Sequence, residues 1–150
     1  MARFWLPGWL IGFLAGVAWA GDYVPWTARG LSIPEPLAGL QGDPARGRAV
    51  AADRQRGNCL ACHHMPIPEE PDHGDIGPPL DGVGARLGPG ELRLRIADEK
   101  RVNPDSIMPS FHRDPATLYR VLPSLAGQTI LSAQEVEDLV AWLSTLREGP

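Results

Sequence analysis

The chain has 150 residues, a formal net charge of −4, 43% hydrophobic residues, 17 glycines and 16 prolines. That is one domain's length, and the acidic balance excludes a nucleic-acid binder, which needs a basic patch. Lys100 is the only lysine, so a docking face built as a ring of lysines is excluded too. The glycine and proline content stops just short of the level that signals disorder and suits a small, loop-rich fold.

Residues 1–20 read as a secretory signal peptide. Arg3 supplies the positive end, an uncharged apolar stretch runs from Phe4 to Val17, and Ala18-Trp19-Ala20 is an A-x-A cleavage signal. A retained membrane anchor is the competing reading, and Gly8, Gly12 and Gly16 do fall at small-residue interface spacing. About 17 uncharged residues is the lower limit for spanning a bilayer, and Pro7 would disturb the helix. Cleavage is favoured, and either way the rest of the chain is exported. About 130 residues then remain, with a charge near −5. Residues 21–42 contain Pro25, Pro34 and Pro36 and no periodic pattern. They predict an extended arm that lies on a partner or on the domain surface, with a loose terminus as the alternative.

The domain proper is expected over 43–150. Asp43 as N-cap and Pro44 at the first helical position open a helix that runs to about Arg56, with Gly57 placed to cap its end. Gly47 inside it is unfavourable for a helix unless a second helix crosses closely there. The last helix offers that partner. Ser132 and Glu135 form a capping box, and Val136, Leu139, Val140, Leu143 and Leu146 follow as one apolar stripe about four turns long. Trp142 is expected to lie over Gly47.

Between these helices stands Cys59-Leu60-Ala61-Cys62-His63, which holds the only two cysteines of the chain. Two cysteines three apart followed at once by histidine form the c-type haem attachment pattern. Residues three apart share one face of a helical turn, so both thiols reach the vinyl groups along one haem edge. The histidine then turns under the iron as proximal ligand. A structural zinc site would need a second pair of ligands, and His73 and His112 are isolated from each other. A redox dithiol would want a βαβ context, and a disulfide this short would close almost no loop.

The loops after the motif are read as haem-wrapping. Residues 64–71 are acidic and proline-rich; Gly74-Asp75-Ile76-Gly77-Pro78-Pro79-Leu80 comes next and ends in Gly82-Val83-Gly84. The carbonyl of Pro78 is placed to accept the second N–H of His63 and fix its tautomer. A short helix is expected over 91–97, with Arg93, Arg95, Lys100 and Arg101 as a solvated face. For the distal ligand, Met65 lies too close to His63 to reach the far side of the iron. Met108, in Asn103-Pro104-Asp105-Ser106-Ile107-Met108-Pro109, sits in a stiff loop bracketed by prolines. His112 is the rival; bis-histidine ligation lowers the potential and Met/His ligation raises it. Met108 is favoured.

A first and a last helix packed together with a haem pocket between is the plan of a class I cytochrome c, an all-α fold. Arg56-Gly57-Asn58 leading into CLACH, the GDIGPPLDGVGAR segment, NPDSIMPSF and ILSAQEVEDLVAWLSTL resemble the SoxX family over about residues 43–147. SoxX proteins are the monohaem cytochrome subunits of SoxAX complexes in periplasmic thiosulfate oxidation. The resemblance implies one covalent haem c on Cys59 and Cys62, with His63 and Met108 as the matched iron ligands and no catalytic residue on this chain. It implies a SoxA-like partner bearing the catalytic cysteine, in a heterodimeric L-cysteine S-thiosulfotransferase that joins thiosulfate to a cysteine of a carrier protein. Electrons would leave to a soluble cytochrome c. A free-standing class I cytochrome c is the alternative.

Overall fold

Two helices from opposite ends of the domain meet, and glycine is what lets them. Helix α1 (Pro44–Ala52) begins at Asp43, whose Oδ1 accepts the N–H groups of Ala45 (2.8 Å) and Arg46 (3.0 Å). Two otherwise orphaned donors of the first turn are thereby satisfied. The last helix, α4 (Ala133–Leu143), opens with a reciprocal box: Glu135 accepts the Ser132 N–H at 2.8 Å, and Ser132 Oγ accepts the Glu135 N–H. A Cβ built on Gly47 would lie 1.9 Å from Asp138 O, and one on Gly42 would lie 2.1 Å from Glu137 O. The two backbones are therefore in direct contact. Gly47 is met by the backbone of Asp138 and Leu139 rather than by Trp142, which is buried in the core. No side chain fits between chains this close.

The structure, a computed structural model, describes residues 23–149, so the leader expected over 1–20 falls outside the described residues. Helix α1 is shorter than its sequence pattern implies. Asp53 ends it by gathering the N–H groups of Arg56 (3.1 Å) and Asn58 (2.9 Å) on its carbonyl and that of Gln55 (2.8 Å) on its carboxylate. Such local bonding competes with the helix. Gly57 is not the left-handed cap; Asn58 takes that conformation (φ 47°), and Gly57 instead donates its N–H to Val50 O (3.2 Å), where a Cβ would fall 2.6 Å from that oxygen. At the other end, α4 stops at Leu143 because the Ser144 and Thr145 hydroxyls turn back onto Val140 O and Trp142 O, both at 2.6 Å. The stripe of Val136, Leu139, Val140 and Leu143 is buried, and Leu146 packs half-buried beyond the helix end.

Two further helices complete the frame: α2 (Val83–Arg86), a single turn that the sequence pattern does not announce, and α3 (Pro89–Asp98). Gly84 lets α2 press against the end of α4, its N–H donating to Leu146 O at 2.8 Å. Helix α3 buries Leu92, Leu94, Ile96 and Ala97. It also buries Arg93, which corrects the expected solvated face. The Arg93 and Glu137 side chains are only 4% and 3% exposed, and they pair through Nε–Oε1 (2.7 Å) and Nη2–Oε2 (2.8 Å). A charge is tolerated there because a bidentate partner and further hydrogen bonds satisfy it.

Those further bonds hold residues 23–42. Arg93 Nη1 donates to Ile33 O (2.7 Å), Leu37 N–H donates to Glu137 Oε1 (2.8 Å), and Ile33 and Leu37 are each 2% exposed. Further out, the Trp26 indole N–H donates to His112 O at 2.9 Å and the Val24 N–H to His112 Nε2 at 3.1 Å. The segment is docked on the domain rather than loose, but it is not simply extended: it turns back between Arg29 and Ser32 and forms a 3-10 turn at Leu37–Gly39. Among the described residues there is no β-strand, only an isolated bridge between Arg29 and Ser32.

Candidate haem-binding site

The cysteine motif lies on a tight 3-10 turn, Cys59–Ala61, entered from Asn58. The Cys62 N–H (3.1 Å) and the His63 N–H (2.9 Å) both donate to Cys59 O, which closes the turn and brings the two thiols to one side. The thiols are free and half-buried. Burial pushes the Cys59 thiol up to about 12, with the neighbouring Cys62 adding to the rise. Before any attachment, Cys59 is therefore a poor nucleophile.

His63 is set by what lies around its ring. Its Nδ1 is 2.7 Å from Pro78 O; a carbonyl can only accept, so Nδ1 carries the proton and Nε2 keeps its lone pair. Gly77 lies flat against the imidazole, where a Cβ would fall 2.3 Å from Cε1. Two backbone bonds hold this loop in place: Gly77 N–H to Cys62 O (2.7 Å) and Leu80 N–H to His64 O (2.9 Å). Gly77 is thus a positioning residue that sequence reasoning misses, although it stands next to Pro78.

The neighbouring histidines are engaged through Nδ1 alone, and His73 Nε2 is buried without a hydrogen-bond partner. His64 pairs through Nδ1 with Asp81 Oδ2 at 2.8 Å, and His73 Nδ1 accepts the Met65 N–H at 3.3 Å. Met65 is a core residue, 1% exposed. His112, the rival distal ligand, is fully buried and has no nitrogen to give. Its Nδ1–H donates to Leu131 O (2.9 Å), and its Nε2 accepts the Val24 N–H. It is a structural histidine pinning the N-terminal segment. Met108 is half-buried against the same apolar core as Cys59, with its N–H on Ser106 Oγ at 3.2 Å.

These residues fit a c-type haem and do not fit a closed zinc site. Among the described residues no cluster of three or more His, Cys, Asp or Glu side chains could hold a metal ion, and structural zinc wants four such ligands. What the chain offers is two free thiols on one turn, the His63 imidazole directly after them with its Nδ1 on Pro78 O, and a loop-borne thioether.

The cytochrome c family pattern matches residues 44–147. The chain belongs to the cytochrome c family. No protein of curated function matches it. Among solved structures it is similar to a chain in the crystal structure of SoxXA from P. pantotrophus, with 30% sequence identity and a TM-score of 0.76, covering 86% of this chain and all of that one. The all-α, class I cytochrome c architecture expected from the sequence is therefore the architecture of the protein, and its resemblance to SoxX holds in sequence and structure alike.

Proposed function

We propose that the chain is the electron-transfer subunit of a periplasmic SoxAX-type complex. Cys59 and Cys62 would hold a single haem c covalently, with His63 and Met108 as axial ligands and Pro78 as the carbonyl that orients His63. Such a group supplies reversible one-electron chemistry. The chain's own work would be to hold it: Pro78 O keeps the proton on Nδ1, which would leave His63 Nε2 as the nitrogen to bind the iron, and the Met108 loop would supply a thioether, a ligand that raises the potential. The 30% identity along the whole of the solved SoxXA chain carries the reading.

On this reading the conjugation of thiosulfate to a carrier protein's cysteine takes place on a SoxA-like partner, and the electrons leave to a soluble cytochrome c. The sequence supports this, because Cys59 and Cys62 are the only cysteines and both would be committed to the haem as thioethers, leaving no thiolate for sulfur-transfer chemistry. The test is to express the full chain in a host that matures c-type cytochromes, then assay it with and without a SoxA-like subunit. Redox activity alone and conjugation only with the partner are expected. Conjugation by this chain unaided would overturn the reading. Failure of any cytochrome subunit to co-purify would leave a free-standing class I carrier in its place.

A further inference from the structure

Lys100, the only lysine of the chain, is spent on backbone rather than on a carboxylate. It sits on the 3-10 turn Glu99–Arg101 just after α3, and its ammonium donates to Ser106 O and to Met108 O (3.5 Å). Among the described residues it has no ion-pair partner: its acidic neighbour Glu99 pairs with Arg95, and Asp98 is taken by Ser110 and Arg113. On its open side lies a cavity of about 290 Å³ that Arg113 and Arg120 also line, with no carboxylate among the lining residues. Nothing there draws the ammonium away from the two carbonyls.

The loop it holds is otherwise fixed at its two ends and by short bonds within itself. Pro104 and Pro109 have no N–H to donate. The exit of the loop is staked to α3 through Ser110 Oγ–Asp98 (2.6 Å) and through Phe111 N–H to Ile96 O (3.2 Å). Its entry is held by Asn103 N–H to Glu99 O (2.9 Å), and its middle carries three internal bonds: Asp105 N–H to Asn103 Oδ1 (3.2 Å), Ser106 N–H to Asn103 O (3.1 Å) and Met108 N–H to Ser106 Oγ (3.2 Å). Lys100 is the side chain that ties Ser106 and Met108 to the rest of the described domain. With the N–H of Met108 on Ser106 Oγ (3.2 Å) and the ammonium bridging from Ser106 O towards Met108 O (3.5 Å), Lys100 restrains the peptide planes on both sides of Met108. The direction of the Met108 side chain is set with them.

We infer that Lys100 is a positioning residue that holds the Met108 thioether in place and thereby sets how readily an external ligand displaces it. This rests on Met108 being the distal ligand. The experiment uses ferric holoprotein titrated with imidazole, with the weak near-infrared sulfur-to-iron band and the midpoint potential as parallel readouts. Wild type is compared with Lys100→Met, Lys100→Arg and the control Met108→Ala. Lys100→Met keeps the stem but loses the donors; its imidazole affinity should rise about tenfold, the change expected for one lost charge-assisted hydrogen bond, and its near-infrared band should weaken. Lys100→Arg keeps donors for both carbonyls and should stay near wild type. If Lys100→Met fails to take up haem, Lys100→Gln is read in the same way. If Lys100→Met binds imidazole as wild type does while Met108→Ala opens the site, the inference falls and the ligation reading stands. If Lys100→Arg loosens the site as much as Lys100→Met, donation to the loop is not the cause and the inference falls too. A Met108→Ala protein that keeps the near-infrared band overturns the ligation reading itself.

Discussion

Replacing Glu137 by glutamine tests the clamp that joins α3, α4 and the N-terminal segment. In the wild type, one buried carboxylate accepts both Arg93 Nε and Nη2 and also the Leu37 N–H. Glutamine has nearly the same volume but one acceptor oxygen, and its NH₂ would face the guanidinium donors of Arg93. The charge left uncompensated sits on a side chain that is 4% exposed, so solvent screens it little. Breaking one partner of such a buried pair costs about 3–5 kcal/mol; the surviving amide oxygen and the Arg93–Ile33 bond put this case at the low end, about 3 kcal/mol. With a urea m-value of about 2 kcal/mol/M for a domain this size, the unfolding midpoint of the holoprotein should fall by about 1.5 M. The loss should also be local. The exposed Arg29, upstream of the clamp, should be cut faster by trypsin in the variant, and the Leu37 amide should exchange faster. A midpoint shift under about 0.3 M, with unchanged cleavage after Arg29, would refute the claim that this pair holds the segment.

Three further outcomes are expected. Met108→Ala should lose the near-infrared band and lower the midpoint potential without becoming bis-histidine, since both His112 nitrogens are taken; electron paramagnetic resonance would show a second histidine ligand if it entered. Gly47→Ala places a Cβ 1.9 Å from Asp138 O, so α1 and α4 must separate; a loss of at least about 1–3 kcal/mol in thermal unfolding is expected, and a neutral result would mean the crossing is not tight. For Asp138, burial works to raise the carboxyl, but hydrogen bonds from Arg46, the Asp43 N–H and Gln134 leave it below its ordinary value. A lowered folded value contributes stability above the unfolded value of about 3.9, and the contribution is lost as pH falls through the folded one. Asp138→Asn should therefore be less stable than wild type at pH 7, and the difference should shrink as pH drops through that window; a gap that stays constant with pH would contradict it.

The cysteine motif, the two capped ends and the apolar stripe of α4 were legible in the sequence because each is a local rule. Two thiols three apart share a turn, Asp43 and Ser132 each cap the helix that begins at the next residue, and a period near 3.6 marks the buried face. The unfavourable Gly47 even announced a close crossing, though not that backbone would meet it where Trp142 was expected. The use of the charges and histidines was not legible in the same way. Arg93 and Arg95 stand two apart in one basic run, yet one is buried against Glu137, 44 residues away, and the other stays partly exposed against Glu99. His112 reads like a haem ligand until both of its nitrogens are seen to bond backbone from opposite ends of the chain. Whether a cation is solvated or a histidine is free depends on which distant carbonyl or carboxylate the fold brings within about 3 Å, and no local pattern of residues carries that information.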